Sequence, residues 1–288
     1  MQASRYEAPR NVEDAVALLA AQAEARVLAG GTDLIVQMRL GAPAPGIFVD
    51  IKRIPRLNAI ELDATGLKIG AAVCAADIFA NESIRSLWPG LAEATNLIGS
   101  SQIQGRATWA GNLCNASPAA DSVPSLIVCR ARAIVAGPNG ERSIAVEDFV
   151  TGPGQNVLER GEFVVEFELP APEQRTADAY LRLIPRSEMD IAVVGAAVSL
   201  SLDADGNVTS AQVSIAAVAP TVLRVPDAAA ALVGSRLDDD ALATAAAASS
   251  AAADPINDRR GTIEYRTKVV GVLTKRAASI AYERAQAR

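Results

Sequence analysis

The chain has 288 residues, half of them hydrophobic and only 4% aromatic, so it can bury a large core built mostly from Ala, Val, Leu and Ile. A net charge of −6 argues against nucleic acid and anionic membrane surfaces as partners. The absence of histidine excludes a Ser-His-Asp triad, a Cys-His pair and any histidine-ligated metal, so a reactive group would have to be borrowed from a cofactor.

Three cysteines, Cys74, Cys114 and Cys129, form no C-x-x-C pair, and their odd number suits a reduced, cytoplasmic setting. The N-terminal MQASRYEAPR lacks the apolar stretch of a signal peptide, and no run reaches the ~18 apolar residues of a membrane span.

In chain order, Asn11 reads as an N-cap, with Asp14 as its partner, for a helix from Val12 to about Glu24. Arg26 to Ala29 reads as a short buried strand entering Gly30-Gly31. A helix over 33–40, a Gly/Pro-rich link over 41–46 and a strand over 47–51 complete an α/β rhythm. A strand at 67–70 and helical stretches near 75–83 and 88–98 follow. Residues 106–126 then read as an irregular, small-residue loop.

Strands over 133–136 and 142–146 flank Gly137-Pro138-Asn139-Gly140, a hairpin signal. A strand over 163–169 ends at Pro170-Ala171-Pro172, and the charged stretch 173–178 marks a domain boundary. Beyond it come strands over 179–184, 191–202 and 208–217, Ala-rich helices between 226 and 253, and a last helix carrying Ile263, Val270, Leu273, Ala277 and Ile280 on one stripe. This half reads as an α+β domain with helices on one face of a sheet.

Two segments carry the chemistry. A strand running into Gly30-Gly31-Thr32 can fold into a nest of backbone N–H groups for phosphate oxygens, with the Thr32 hydroxyl as a further donor. It is neither G-x-G-x-x-G nor a Walker loop. Taken alone it also reads as a plain turn. Residues 108–121 are too poor in large apolar side chains for a core and too poor in charge for a linker. Small residues of this kind let a ligand approach the backbone closely, although the stretch also reads as an irregular crossing between sheets. Two such loops in one chain suggest a large, polar, phosphate-bearing cofactor.

Four segments carry a specific resemblance. Val27-Leu28-Ala29-Gly30-Gly31-Thr32-Asp33-Leu34 resembles the first flavin loop of the FAD-binding medium subunit of molybdenum hydroxylases of the xanthine dehydrogenase and carbon monoxide dehydrogenase type. Thr108-Trp109-Ala110-Gly111-Asn112, with Ser117-Pro118 and Asp121 after it, resembles the second, written T-I-G-G-N with a following S-P-x-x-D. Arg186 to Ala192 is similar to that family's R-x-x-x-D-I-A, and Arg260 to Arg266 to its R-G-S-A-E-Y-R.

The resemblance implies an α+β fold: a two-part FAD-binding region of the vanillyl-alcohol-oxidase type over residues 1–174 (subdomains about 1–57 and 58–174), then a C-terminal α+β domain over 175–288. It implies non-covalent FAD, which the lack of histidine permits. Val27 to Leu34 would wrap the pyrophosphate. Thr108, Trp109, Ala110, Gly111 and Asn112 would lie along the isoalloxazine and ribityl chain, with Ser117 nearby. Asp121 would accept from FAD hydroxyls, Val164 would make a backbone contact, and Arg182 would stand where relatives place a lysine near the flavin. Val164 also reads as an ordinary core valine and Arg182 as a surface or interface ion pair.

By the same resemblance, electrons would reach FAD from [2Fe-2S] clusters in a small partner subunit, and molybdopterin would reside in a large one, as a dimer of heterotrimers. Three cysteines cannot hold an iron–sulfur cluster, which takes about four thiolates. The chain departs from the family pattern at Trp109, whose indole is expected to cover the flavin or block an acceptor, and at Ala110, whose methyl would crowd backbone approach. At Asp33, added charge facing the ring would disfavour an anionic reduced flavin. A free-standing FAD oxidoreductase, with Asp33, Asp121 or Glu188 as its base, and a flavin-free scaffold protein are the rival readings.

Overall fold

The structure is a computed structural model that describes residues 4–187 and 189–288. The first sheet is built as the α/β rhythm predicts. Strand β1 (Arg5–Glu7) leads to helix α1 (Val12–Ala21), then to β2 (Ala25–Leu28), α2 (Leu34–Arg39) and β3 (Ile47–Asp50). The strands lie parallel in the order β1-β3-β2. Asn11 caps α1 by accepting from the Asp14 N–H at 2.7 Å, and its side-chain amide donates to the Asp14 carboxylate at 2.9 Å. Three-residue β1 leaves no periodicity to read in the sequence.

The middle of the chain adds β4 (Ile60–Asp63), β5 (Gly66–Gly70), α3 (Ala75–Ala80), α4 (Glu82–Leu87), α5 (Pro89–Asn96) and α6 (Ser101–Gln104). Next come α7 (Trp109–Cys114), α8 (Ser122–Val128), β6 (Arg132–Gly137), β7 (Gly140–Ala145), β8 (Val150–Gly152), β9 (Gln155–Asn156) and β10 (Phe163–Pro170). A five-stranded antiparallel sheet forms in the order β4-β5-β10-β6-β7. The expected hairpin turns at Gly140, whose φ of 103° is easy only for glycine.

The expected irregular loop over 106–126 is a correction, since most of it is helical. Thr108 starts α7 by accepting from the Gly111 N–H at 2.9 Å. Helix α8 buries all seven of its residues, including Pro124 in its first turn, where a missing N–H costs nothing. Small side chains signal close packing here as much as ligand access.

The last sheet is antiparallel, with β11 (Thr176–Leu183), β12 (Val194–Leu202), β13 (Val208–Ala216) and β14 (Leu223–Arg224) in sequence order. Helices α9 (Pro226–Leu232), α10 (Asp239–Ala252) and α11 (Ile263–Gln286) follow, and α11 buries Val270, Leu273, Ala277 and Ala281 against it. The opposite face of this sheet packs on α5 and α8, so Tyr180 and Ala197 belong to the core of the preceding sheets. That stacking brings β11 to the start of α8.

Candidate functional site

A single cleft of about 1400 Å³ runs between the first sheet, the α7–α8 region and the end of β11. It exceeds the roughly 300–1,000 Å³ typical of pockets for drug-sized ligands. Ala29 to Leu34 form one wall, and Val27 also lines the cleft. Here the backbone carbonyls of Ala29, Gly30, Gly31 and Asp33 accept within the protein. Ala29 O accepts from Lys52 Nζ at 2.8 Å, Gly31 O from the Ile35 N–H at 3.1 Å, and Asp33 O from the Gln37 N–H at 2.9 Å. The N–H groups of Gly30, Gly31, Thr32 and Asp33 have no partner among the described residues. Gly31 takes φ 76°, and successive free donors of this kind in a turn make an anion cradle.

The second segment meets the first at Gly30. A Cβ there would lie 1.9 Å from the carbonyl oxygen of Arg106, so only glycine lets the two backbones touch. Thr108, Ala110, Gly111, Asn112, Ser117 and Asp121 line the cleft. Asn112 holds α7 to α8, accepting from the Ser122 hydroxyl at 2.7 Å. Gln37 donates to Asn115 at 2.9 Å and so ties α2 to the end of α7. Val164, on β10 where the register shifts, also lines the cleft, with its side chain buried.

Trp109 is placed otherwise than expected. Its indole is 1% exposed, donates to Thr95 Oγ1 at 2.9 Å and meets Phe167 edge-to-face with ring centroids 6.0 Å apart. The first turn of α7 aims residue 109 into the core and residue 110 at the cleft. The indole therefore neither covers a ligand in the cleft nor blocks an acceptor. Leu28 likewise does not line the cleft. Asp33 does, as an exposed side chain, whereas Glu188 lies outside the described residues.

Asp121 is buried in the cleft wall and accepts from Arg182 at 2.7 Å and from the Tyr180 hydroxyl at 3.0 Å. Burial pushes its carboxyl up to about 6, with Arg182 and Tyr180 pulling in the opposite direction. Arg182 and Tyr180 do not line the cleft themselves. Sequence reasoning misses Tyr180, although alternation along a strand puts residues 178, 180 and 182 on one face. The third and fourth motif segments also meet. Asp190 accepts from Arg186 at 3.0 Å and lies 3.7 Å from Arg260, at the cleft mouth. Arg266 is buried and donates to the carbonyls of Val193 and Ala217.

All three cysteines are free thiols, and burial raises each, with Cys114 pushed up to about 12. None is poised as a nucleophile.

Known families share this architecture. The family model described as the FAD binding domain in molybdopterin dehydrogenase matches residues 2–172, and that of the CO dehydrogenase flavoprotein C-terminal domain matches residues 179–281. This chain belongs to the family of FAD-binding medium subunits of molybdopterin dehydrogenases, and it is an oxidoreductase subunit. It is 34% identical to the carbon monoxide dehydrogenase medium chain of Hydrogenophaga pseudoflava, covering 97% of both chains. It is 29% identical to the xanthine dehydrogenase FAD-binding subunit of Escherichia coli O157:H7, covering 95% of this chain and 94% of that one. Among solved structures, carbon monoxide dehydrogenase from Hydrogenophaga pseudoflava superposes with a TM-score of 0.93 at 35% identity, covering 98% of both chains. Quinoline 2-oxidoreductase from Pseudomonas putida 86 gives 0.91 at 26% identity, again with 98% of each chain.

Proposed function

We propose that this chain holds FAD non-covalently in the cleft and serves as the electron-exit subunit of a heteromeric molybdenum hydroxylase. One observation carries the site assignment: a run of four backbone N–H groups, unpaired among the described residues, beside a cleft large enough for a dinucleotide. When bound, FAD can exchange electrons singly or in pairs, which joins one-electron carriers to a two-electron acceptor.

In this reading Gly30 to Asp33 bind the pyrophosphate through backbone N–H groups and the Thr32 hydroxyl, with Val27, Ala29 and Leu34 lining the cleft beside them and Leu28 turned away from it. Thr108, Ala110, Gly111 and Asn112 face the ring and ribityl chain, while Trp109 holds their helix to the core behind the wall. Ser117, Asp121 and Val164 complete the wall. Residues 1–174 form the cofactor-binding region and 175–288 the C-terminal unit.

The partners are an iron–sulfur small subunit and a molybdopterin large subunit, in a dimer of heterotrimers in the cytoplasm. The relatives' names, medium chain and FAD-binding subunit, support a multi-subunit assembly. No helix among the described residues is long and apolar enough to cross a membrane.

Asp121 is poorly suited to be the base of a free-standing oxidoreductase. Both its oxygens are engaged by Arg182 and Tyr180, which suits a fixed acceptor better than a proton carrier. Two measurements test the assignment. The purified chain, mixed with FAD and desalted, is expected to retain flavin bands near ~370 and ~450 nm, and a colourless folded protein would refute the site. Co-expression with iron–sulfur and molybdopterin subunits is expected to give a stable complex, while the chain alone should turn over no small-molecule substrate.

A further inference from the structure

The side chains of Tyr180 and Arg182 reach the cleft only through Asp121. Both come from β11, on the sheet of the C-terminal unit, and neither lines the cleft, whereas Asp121 does. Each takes a different oxygen of the carboxylate: Arg182 Nη1 donates to Oδ2 at 2.7 Å and the Tyr180 hydroxyl to Oδ1 at 3.0 Å. The ion pair is almost dry, with side-chain exposures of 6% for Arg182 and 12% for Asp121.

Room for the phenol comes from the neighbouring strand. A Cβ on Gly195 would lie 2.9 Å from the Tyr180 hydroxyl oxygen. A second tether grips the same loop, where the Ala217 N–H donates to Pro118 O at 2.8 Å, and the Ala217 carbonyl is itself held by Arg266 at 2.8 Å. The C-terminal unit thus fixes both ends of residues 118–121.

We propose that Tyr180 and Arg182 are positioning residues that fix the Asp121 carboxylate, ionised and aimed, in the cleft wall, so that recognition of the FAD hydroxyls at Asp121 is set by the C-terminal unit. This rests on the assignment of FAD to the cleft. Arg182 thereby acts on the cofactor through Asp121 rather than by touching it.

A carboxylate at the edge of an apolar wall is costly to keep charged unless it is paired and hydrogen-bonded. The groups of the described residues that act on Asp121 are the Arg182 guanidinium, which favours the charged form, and the Tyr180 hydroxyl, which donates to it. Burial opposes both and leaves the carboxyl near 6. Removing the guanidinium leaves desolvation less opposed, so Asp121 takes up a proton nearer neutral pH and loses one acceptor lone pair to an O–H. A neutral acid with one oxygen freed to rotate is a poorer partner for two ribityl or ribose hydroxyls.

The test is the dissociation constant of FAD for the full-length chain, read by flavin fluorescence across pH 5 to 9, with apo-protein melts as a control for folding. In the wild type, affinity is expected to fall below about pH 6 as Asp121 protonates. Arg182→Met is expected to weaken binding at pH 7 by about tenfold and to move that midpoint upward, Arg182→Lys to restore most of both, and Tyr180→Phe to cost roughly threefold. A purely structural role would lower the melting temperature without moving the midpoint.

Asp121→Asn closes the cycle. In that background Arg182→Met is expected to cost no further affinity, because replacing both partners of a buried pair is close to neutral where removing one is not. If Arg182→Met weakens FAD binding equally in the Asp121→Asn background, Arg182 touches the cofactor directly and the positioning role is wrong. If the wild type binds no FAD, the cleft assignment fails first and takes this inference with it. If the wild type binds and Arg182→Met binds equally well at every pH, the assignment stands and the inference alone is overturned.

Discussion

The two segments that meet at Gly30 are finished in opposite ways. Residues 30–33 offer bare backbone: the carbonyls of Gly30, Gly31 and Asp33 accept within the protein, and the four N–H groups have no partner among the described residues. Residues 108–121 are closed by their own side chains, with Thr108 capping α7, Asn112 holding Ser122 and Asp121 gripped from β11. A turn that binds through main-chain donors depends on φ/ψ and on the absence of Cβ atoms. A segment that binds through a wall of packed helices depends on what lies behind it. Substitutions should therefore separate the two, with the first failing by geometry and the second by packing.

The largest effect is expected at Gly30. An added methyl at 1.9 Å from the Arg106 carbonyl oxygen meets only backbone atoms of Arg106 and Ala107, which no side-chain rotation can move aside. Gly30→Ala should cost more than about 4 kcal/mol, the range of exceptional point substitutions, and should abolish FAD retention even in protein that remains folded at low temperature. Chemical denaturation and a desalting spectrum would show both. A variant that binds FAD normally would mean the two backbones part easily, and the contrast between the segments would weaken.

Trp109→Ala comes next. Deleting a buried indole packed on Phe167 should cost about 3–5 kcal/mol. Because the side chain faces away from the cleft, the remaining folded protein should bind FAD within about threefold of wild type, a difference under about 1 kcal/mol. Urea unfolding and fluorescence titration on one sample separate these quantities. A lost flavin with little lost stability would place the indole at the cofactor after all.

How much of this is legible in the sequence varies along the chain. Gly30-Gly31 after an apolar strand suits a plain turn as well as a cradle, and only the second small-residue segment tips the reading towards a ligand. Trp109 misleads, since a tryptophan inside a small-residue motif looks like a ligand contact when the segment is taken as a loop. Thr108, three residues before Gly111, is an N-cap spacing, and a helix starting there sends residues 109 and 110 in different directions. Asp121 stands out in the sequence and does line the cleft, yet its partners are not legible. Nothing local links 121 to 180 and 182, because that contact exists only after β11 stacks on α8.

Beyond the cleft, the same strand face offers a pH test of the packing between sheets. Asp178, fully buried on β11, accepts from the Leu91 N–H at 2.7 Å, and burial pushes its carboxyl up to about 6. Its folded value stands above the ~3.9 of an unfolded chain, so the native state binds the extra proton in that window. The contribution of this group is therefore complete only below about pH 3.9, and it is lost as pH rises through about 6. Asp121 follows the same sign. Between about pH 7.5 and pH 5 each should add roughly 1 kcal/mol of stability. Asp178→Asn should remove its share of that slope in urea melts, and an unchanged slope would show that Asp178 is not the group responsible.

The smallest effect, and the sharpest for the comparison, belongs to Ala110. Its side chain is the one methyl of the second segment placed where the family pattern has glycine, and it lines the cleft while 6% exposed. Ala110→Gly should cost about half a kcal/mol of stability, somewhat less than the full alanine-to-glycine difference of a helix interior because it sits in the first turn of α7. Removing the methyl from the wall should tighten FAD binding by about twofold to fivefold, or roughly 0.5–1 kcal/mol. The opposite signs matter more than the sizes. If the wall acts through packing, opening it by one methyl trades fold stability for cofactor affinity, whereas no substitution at Gly30 can improve either. A variant that loses both would mean the Ala110 methyl is itself a favourable contact, and the second segment would then bind as directly as the first.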